Sequence, residues 1–187
     1  MPVRNANAVG NTARAIKKLA QKMFRFVRGV MMCWCINRVW YVLVILLVWG
    51  LDYYSKEWIL EYFATRSQPL EISSYFHLVL VYNKGATFGL LNNGSTTAFW
   101  ILTAVVIFVL GFLVRWLITE KSTYTHLALS MIIGGALGNL YDRLMRGAVV
   151  DFLDFFWQDY HWPAFNVADA AIVMGVGLLI LKTIKER

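Results

Sequence analysis

Charge is scarce in this chain, and acid is scarcer than base. Of 187 residues only 16% are charged, 11 of them Asp or Glu against 18 Lys or Arg, while 59% are hydrophobic. A soluble domain carries about 25% charged residues, so neither a single water-solvated core nor a disordered chain fits. Two cysteines, Cys33 and Cys35, are too few for a disulfide scaffold and lack the second pair a zinc site needs. They read as reduced, interfacial and non-catalytic. No GxSxG or HExxH string occurs, and His77, His126 and His161 fall in separate segments, so neither a Ser/His/Asp triad nor a zinc site has a signature. No small-residue cleavage site follows a short apolar core near the start, so a cleavable signal peptide is not expected; a start at Met31 or Met32 would leave a shorter lead.

What the chain does hold is long apolar runs, each of them able to cross a hydrocarbon layer in about 20 residues. Four spans are expected, at about 38–60, 98–117, 124–143 and 162–182. The third contains Gly134, Gly135, Ala136 and Gly138, small residues that let helices approach closely in lipid. The expected fold class is an all-α membrane protein with four transmembrane helices, and on its outer side a small β-sheet and an aromatic-rich loop. Residues 1–37 form a basic cytoplasmic or interfacial extension, 38–184 the four-span domain, and 185–187 a cytoplasmic tail. Thirteen of the 18 bases fall on the side that holds both termini, which places the termini in the cytoplasm by the positive-inside rule. The net charge of +7 then reports topology, and no nucleic-acid partner is expected.

Two segments lie outside on this reading, about 61–97 and 144–161. In the first, Leu78–Tyr82 is a β-like run followed by Asn83-Lys84-Gly85, which reads as a strand, a turn and a second short strand. The second is crowded with Phe152, Phe155, Phe156, Trp157, Tyr160 and Trp162, which an aromatic belt at the interface explains.

Acids within spans are functional candidates by default. Asp52, Asp142 and Asp169 fall toward the outer ends of spans one, three and four, and Asp151 lies in the apolar setting Val149-Val150-Asp151-Phe152. Asn139, Asp142 and Arg143 share a helix face, as do Asn166 and Asp169. The simplest role for Asp142 is an ion pair with Arg143 or a helix-end stabiliser; Asp154 and Asp159 read as exposed loop acids. Asp151 and Asp169 remain. Two carboxylates close together in a poorly solvated setting share one proton and supply a base and an acid at once, the chemistry that activates water against an amide. A metal held by Asp151, Asp154, Asp159 and His161 is a weaker alternative. From the residues alone, a non-catalytic scaffold or a proton-coupled transporter using intramembrane acids stays open, although a proton path favours acids strung across the bilayer depth.

Four strings taken together are more specific. Asn83-Lys84-Gly85-Ala86-Thr87-Phe88-Gly89, Gly134-Gly135-Ala136-Leu137-Gly138-Asn139-Leu140-Tyr141-Asp142-Arg143, Gly147-Ala148-Val149-Val150-Asp151-Phe152 and Phe165-Asn166-Val167-Ala168-Asp169 closely resemble the lipoprotein signal peptidase (signal peptidase II) family. Asp52-Tyr53-Tyr54-Ser55-Lys56 also matches that family's acid-x-x-hydroxyl-lysine pattern, and Thr87 stands where the family often has Ala. The resemblance covers about residues 38–184 and implies a bacterial inner-membrane aspartyl endopeptidase. Such an enzyme removes signal peptides from diacylglyceryl-modified prolipoproteins without metal or cofactor and is inhibited by globomycin. It implies a catalytic dyad at Asp151 and Asp169, and supporting residues at Asp52, Asn83, Gly85, Asn139, Asp142, Arg143 and Asn166. A monomer in the bilayer is expected.

Overall fold

The computed structural model describes residues 39–84 and 96–186, with residues 21 and 22. The rest of the basic extension, Cys33 and Cys35 included, and the stretch holding Gly85 and Thr87 lie outside the described residues. The chain divides into Met1–Trp40 and Tyr41–Arg187, and the second unit carries the architecture that follows.

Helix α1, Val39–Phe63, begins as an uninterrupted apolar run whose large side chains, Leu46, Leu47 and Leu51 among them, face outward. Toward its C-terminal end the inward face changes character. Asp52, Lys56 and Ile59 recur at helical spacing, and all three are buried. Helix α2, Thr96–Thr119, is apolar almost throughout, and Phe108 is 77% exposed; in lipid that exposure requires no polar partner. The turn after α2 is tied by Glu120, whose Oε1 accepts from the backbone N–H of Lys121 and Ser122 at 2.8 and 2.9 Å.

Helix α3, Thr123–Arg146, has a buried stripe at Leu129, Ile132, Ile133, Gly135, Gly138, Asn139 and Asp142. The glycines exist for close approach. A Cβ on Gly135 would overlap the Ala168 carbonyl, and one on Gly138 would overlap the Asp52 carboxyl, so α1 and α4 are both packed against α3 backbone. The helix stops at Gly147, whose φ of 73° is left-handed and whose N–H returns to Arg143 O at 3.1 Å, the conformation glycine adopts without steric cost. Helix α4, Val167–Lys185, completes the bundle.

Leu110, Leu113, Leu129, Ile132 and Ile133 form the core between helices, with Ile45 and Ile172 against it. A second cluster, Ile59, Val150 and Phe152 with Leu78, Leu80 and Val167, fastens the end of α1 to a small sheet. That sheet is antiparallel in the order β1-β2-β3-β4, with β1 at Leu70–Ser73, β2 at Phe76–Asn83, β3 at Val149–Trp157 and β4 at Tyr160–His161. Near the helix ends Asn83 pairs with Val149 and Val81 with Asp151.

Helices α1, α2 and α4 are long and apolar enough to cross a membrane; α3 is as long as α2 but carries Asn139, Asp142, Arg143 and Arg146. Two sequence expectations need correction. The fourth helix begins at Val167 rather than about 162, because Phe165 bridges to Leu153 in the sheet and Asn166 caps the helix. The segment 144–161 is not an aromatic loop: it completes α3 and then runs as strand β3 and its short return β4. Strand β2 contains the expected Leu78–Tyr82 run and pairs with β1 and β3; the second short strand expected after the turn at Asn83-Lys84-Gly85 lies outside the described residues.

Candidate active site

The N-terminus of α4 is the pivot of the site. Four backbone N–H groups at a helix start need acceptors, and Asn166 meets one of them by accepting from Asp169 N at 2.9 Å. Asp169 reciprocates from the third helical position, its Oδ2 accepting from Asn166 N at 3.3 Å, which closes a capping box. The other carboxylate oxygen, Oδ1, accepts from Asn139 Nδ2 on α3 at 2.7 Å. The backbone need of one helix end thus fixes the direction in which Asp169 points.

Asp151 reaches the same place from β3. Its Oδ1 accepts from Asn166 Nδ2 at 2.7 Å and its Oδ2 from Asn83 Nδ2 at 3.0 Å. Its side chain is 2% exposed. Burial is the main cause that pushes its carboxyl up to about 6, with the Asp169 charge adding to the rise and the Asn83 and Asn166 hydrogen bonds and the Lys56 charge opposing it. Both aspartates, with Asn83, Asn139, Arg143, Tyr160, Trp162 and Phe165, line one cleft of about 530 Å³. The Arg143 guanidinium faces the acids, interacting with Asp169 first, then Asp151 and Asp142. The two carboxyls thus stand in unequal surroundings in one partly desolvated cleft.

Behind the cleft lies a charged layer. Lys56 Nζ, wholly buried, stands 2.7 Å from Asp52 Oδ2, 2.9 Å from Asp142 Oδ2 and 3.1 Å from Asn139 Oδ1. Asp52 Oδ1 accepts from Ala168 N at 2.8 Å, and Asp142 Oδ2 from Val150 N at 3.1 Å. Arg146 bridges Asp142 and Glu57.

Of the sequence candidates, Asp151, Asp169, Asn83, Asn139 and Arg143 line the cleft, while Asn166 lies buried between the two acids. Asp52 and Asp142 sit in the layer behind, and Gly85 lies outside the described residues. Asp142 does act at the helix end, through Val150 N, but its direct ion pairs are with Lys56 and Arg146, while Arg143 feels its charge without pairing directly. Asp159 is exposed as expected. Asp154 is not: it is 7% exposed, with His161 Nδ1 2.9 Å from its Oδ2. Lys56 carries no site role in the sequence reading beyond its place in the Asp52–Lys56 string; its position four residues after Asp52, one helical turn on, is the available signal.

The bundle, its sheet and the acid-lined cleft define a membrane protein whose polar chemistry is gathered at one end of its helices. Two solved structures described as bacterial membrane enzymes share the fold. The one obtained in meso at 1.9 Å resolution has a TM-score of 0.66 and 31% identity, over 79% of this chain and 94% of that one; the other, at 2.3 Å, has a TM-score of 0.65 and the same identity over 78% and 88%. Residues 44–185 match the family described as signal peptidase (SPase) II, and the chain belongs to that family. The lipoprotein signal peptidase of Shewanella loihica is 43% identical over 151 residues, 79% of this chain and 88% of the relative. That of Vibrio parahaemolyticus is 42% identical over 120 residues, 63% and 71% of the two chains.

Proposed function

We propose that the protein is an aspartic endopeptidase that removes signal peptides from diacylglyceryl-modified prolipoproteins at the outer surface of a bacterial inner membrane. The observation that carries this reading is the pairing of Asp151 with Asp169 across one cleft, with Asn166 bonded to both. Four spans, α1 to α4, put both termini in the cytoplasm and the sheet and cleft on the periplasmic side. A substrate anchored by its signal helix and its lipid presents its scissile amide at the level of the helix ends, where the cleft opens.

The chemistry follows from the surroundings of each acid. Asp151, buried and raised to about 6, carries the shared proton. Asp169, with donors from Asn139 and the α4 backbone at its two oxygens, takes a proton from water as the water oxygen attacks the scissile carbonyl. Asp151 gives its proton to the carbonyl oxygen, producing a neutral tetrahedral diol. Collapse returns a diol proton to Asp151, while Asp169 passes its proton to the departing nitrogen, and the dyad is restored. No cofactor enters the scheme.

The test is cleavage of a lipid-modified precursor by the purified protein. Wild type should cleave and be blocked by globomycin, whereas Asp151→Asn and Asp169→Asn should each lose about 10³-fold or more in rate. Normal cleavage by either variant overturns the dyad, and proton-coupled transport without cleavage overturns the peptidase.

A further inference from the structure

We infer that Lys56 is a positioning residue for the reaction, which sets the orientation of Asn139 and ties together the two backbone segments that present the aspartates. The inference rests on the aspartic-peptidase reading above.

Lys56 is a buried cation that donates to Asn139 Oδ1 and forms ion pairs with the acceptor oxygens Asp52 Oδ2 and Asp142 Oδ2. Each acceptor has a second contact that leads to the cleft. Asp52 holds Ala168 N, one residue before Asp169, and Asp142 holds Val150 N, one residue before Asp151. Asn139 holds Asp169 itself through Nδ2 at 2.7 Å. One ammonium therefore fastens both segments from behind.

The Asn139 contact does more than fasten. A side-chain amide has an accepting and a donating end of nearly the same shape. An ammonium has donors only, so Lys56 requires the carbonyl end to face it, and the NH2 end must then face Asp169. Asn166 Nδ2, 3.2 Å from Asn139 Oδ1, favours the same orientation. Without the cation, the barrier to turning the amide over falls. The reversed amide would set an oxygen against the Asp169 carboxylate and remove a donor from the base.

Stability and positioning can be separated because the two roles respond differently to charge balance. Lys56→Met leaves Asp52 and Asp142 short of a cation, and a loss of folding alone would explain a loss of rate. Lys56→Met combined with Asp52→Asn removes one charge of each sign and keeps a carbonyl for Ala168 N. The experiment measures thermal melting, kcat and KM on a lipid-modified precursor for wild type, both variants and Asp151→Asn. The expected result is that the double variant regains most of the melting temperature lost by the single one, yet keeps kcat about 10²-fold below wild type with KM within about threefold, as displaced reacting groups cost rate rather than binding. If the double variant regains wild-type kcat together with stability, Lys56 only balances charge and the inference fails. If Lys56→Met cleaves at the wild-type rate while Asp151→Asn is inactive, it fails as well. Absence of cleavage by wild type would instead sink the peptidase reading.

Discussion

Asn166 Nδ2 donates to Asp151 Oδ1 at 2.7 Å, so the residue that caps α4 also grips the acid on β3. Removing it should cost twice. Asn166→Ala loses the N-cap, worth about 1 kcal/mol, and removes the donor to the buried Asp151 Oδ1, at about 1–3 kcal/mol more. Asn166→Ser keeps a cap oxygen but does not bridge to Asp151. Thermal melting should therefore rank wild type, then Ser, then Ala, while cleavage assays find both variants severely impaired. Full activity in the Ser variant would show that the bridge does not matter.

Asp151 gives the molecule a definite response to pH. Its carboxyl is raised from 3.8 to about 6 in the folded chain, so between these values the folded state binds more proton than the unfolded state. Stability contributed by this group is thus greatest at low pH, falls as pH rises from about 4 to 6, and stays low above that range. Asp151→Asn should be more stable than wild type at pH 7.5 by at most ~3 kcal/mol, and the advantage should vanish below about pH 4. Melting curves of both proteins across that range in one detergent check the sign.

The same proton governs the rate profile. With one shared proton required, kcat/KM should decline as pH rises through about 6, as Asp151 loses its proton. The apparent value belongs to the pair rather than to one residue. A flat profile between pH 5 and 8 with a minimal lipid-modified substrate would remove Asp151 as the proton donor.

Glycine substitutions on the helices should divide sharply. A Cβ at Gly135 meets the Ala168 carbonyl, which is backbone and cannot turn aside, so Gly135→Ala should push α4 from α3 and destabilise by about 1–3 kcal/mol, with activity falling alongside. Gly111 and Gly177 have nothing within 4 Å of the added atom. Alanine there should leave the melting temperature unchanged or raise it by up to ~1 kcal/mol in equivalent stability.

Asp154 and His161 lock the return strand β4 onto β3, and β4 carries Tyr160 to the rim of the cleft. Asp154→Ala frees that rim without touching the dyad. The expected effect is a rise in KM of about tenfold, the equivalent of about 1.4 kcal/mol of lost uniform binding, with kcat nearly intact. Equal losses in kcat and kcat/KM would assign Asp154 to the chemistry instead.

Much of this arrangement was legible from residues, and the parts that were not share a cause. Apolar runs located the helices, because length and continuity of hydrophobic sequence suffice for that. The polar residues that gather in and behind the cleft are legible as well, since Asn139, Asp142, Arg143, Asn166 and Asp169 stand at helical spacings in largely apolar surroundings. What was misread depended on which way a side chain points relative to a distant element. Asp142 and Arg143 are adjacent and so diverge around the helix; the partner one turn on, Arg146, and Lys56 from α1 are the ones in reach. Asp154 passed for a loop acid because two aspartates interrupt the apolar strand β3, and its burial depends on the return of the chain at Gln158, whose φ is 55°. The later start of α4 did have a local sign, Asn166 three residues before Asp169, a capping pair.

The Asp151–Asp169 site is assembled from contributions that lie far apart along the chain: Asn83 reaches Asp151 across 68 residues and Lys56 reaches Asn139 across 83. On the proposed mechanism, no nascent or half-inserted chain is a protease. Competence arrives only when the last helix has docked, since Asn166 and Asp169 both belong to that docking. On that reading a hydrolase made inside a membrane stays inert until its own last helix is in place.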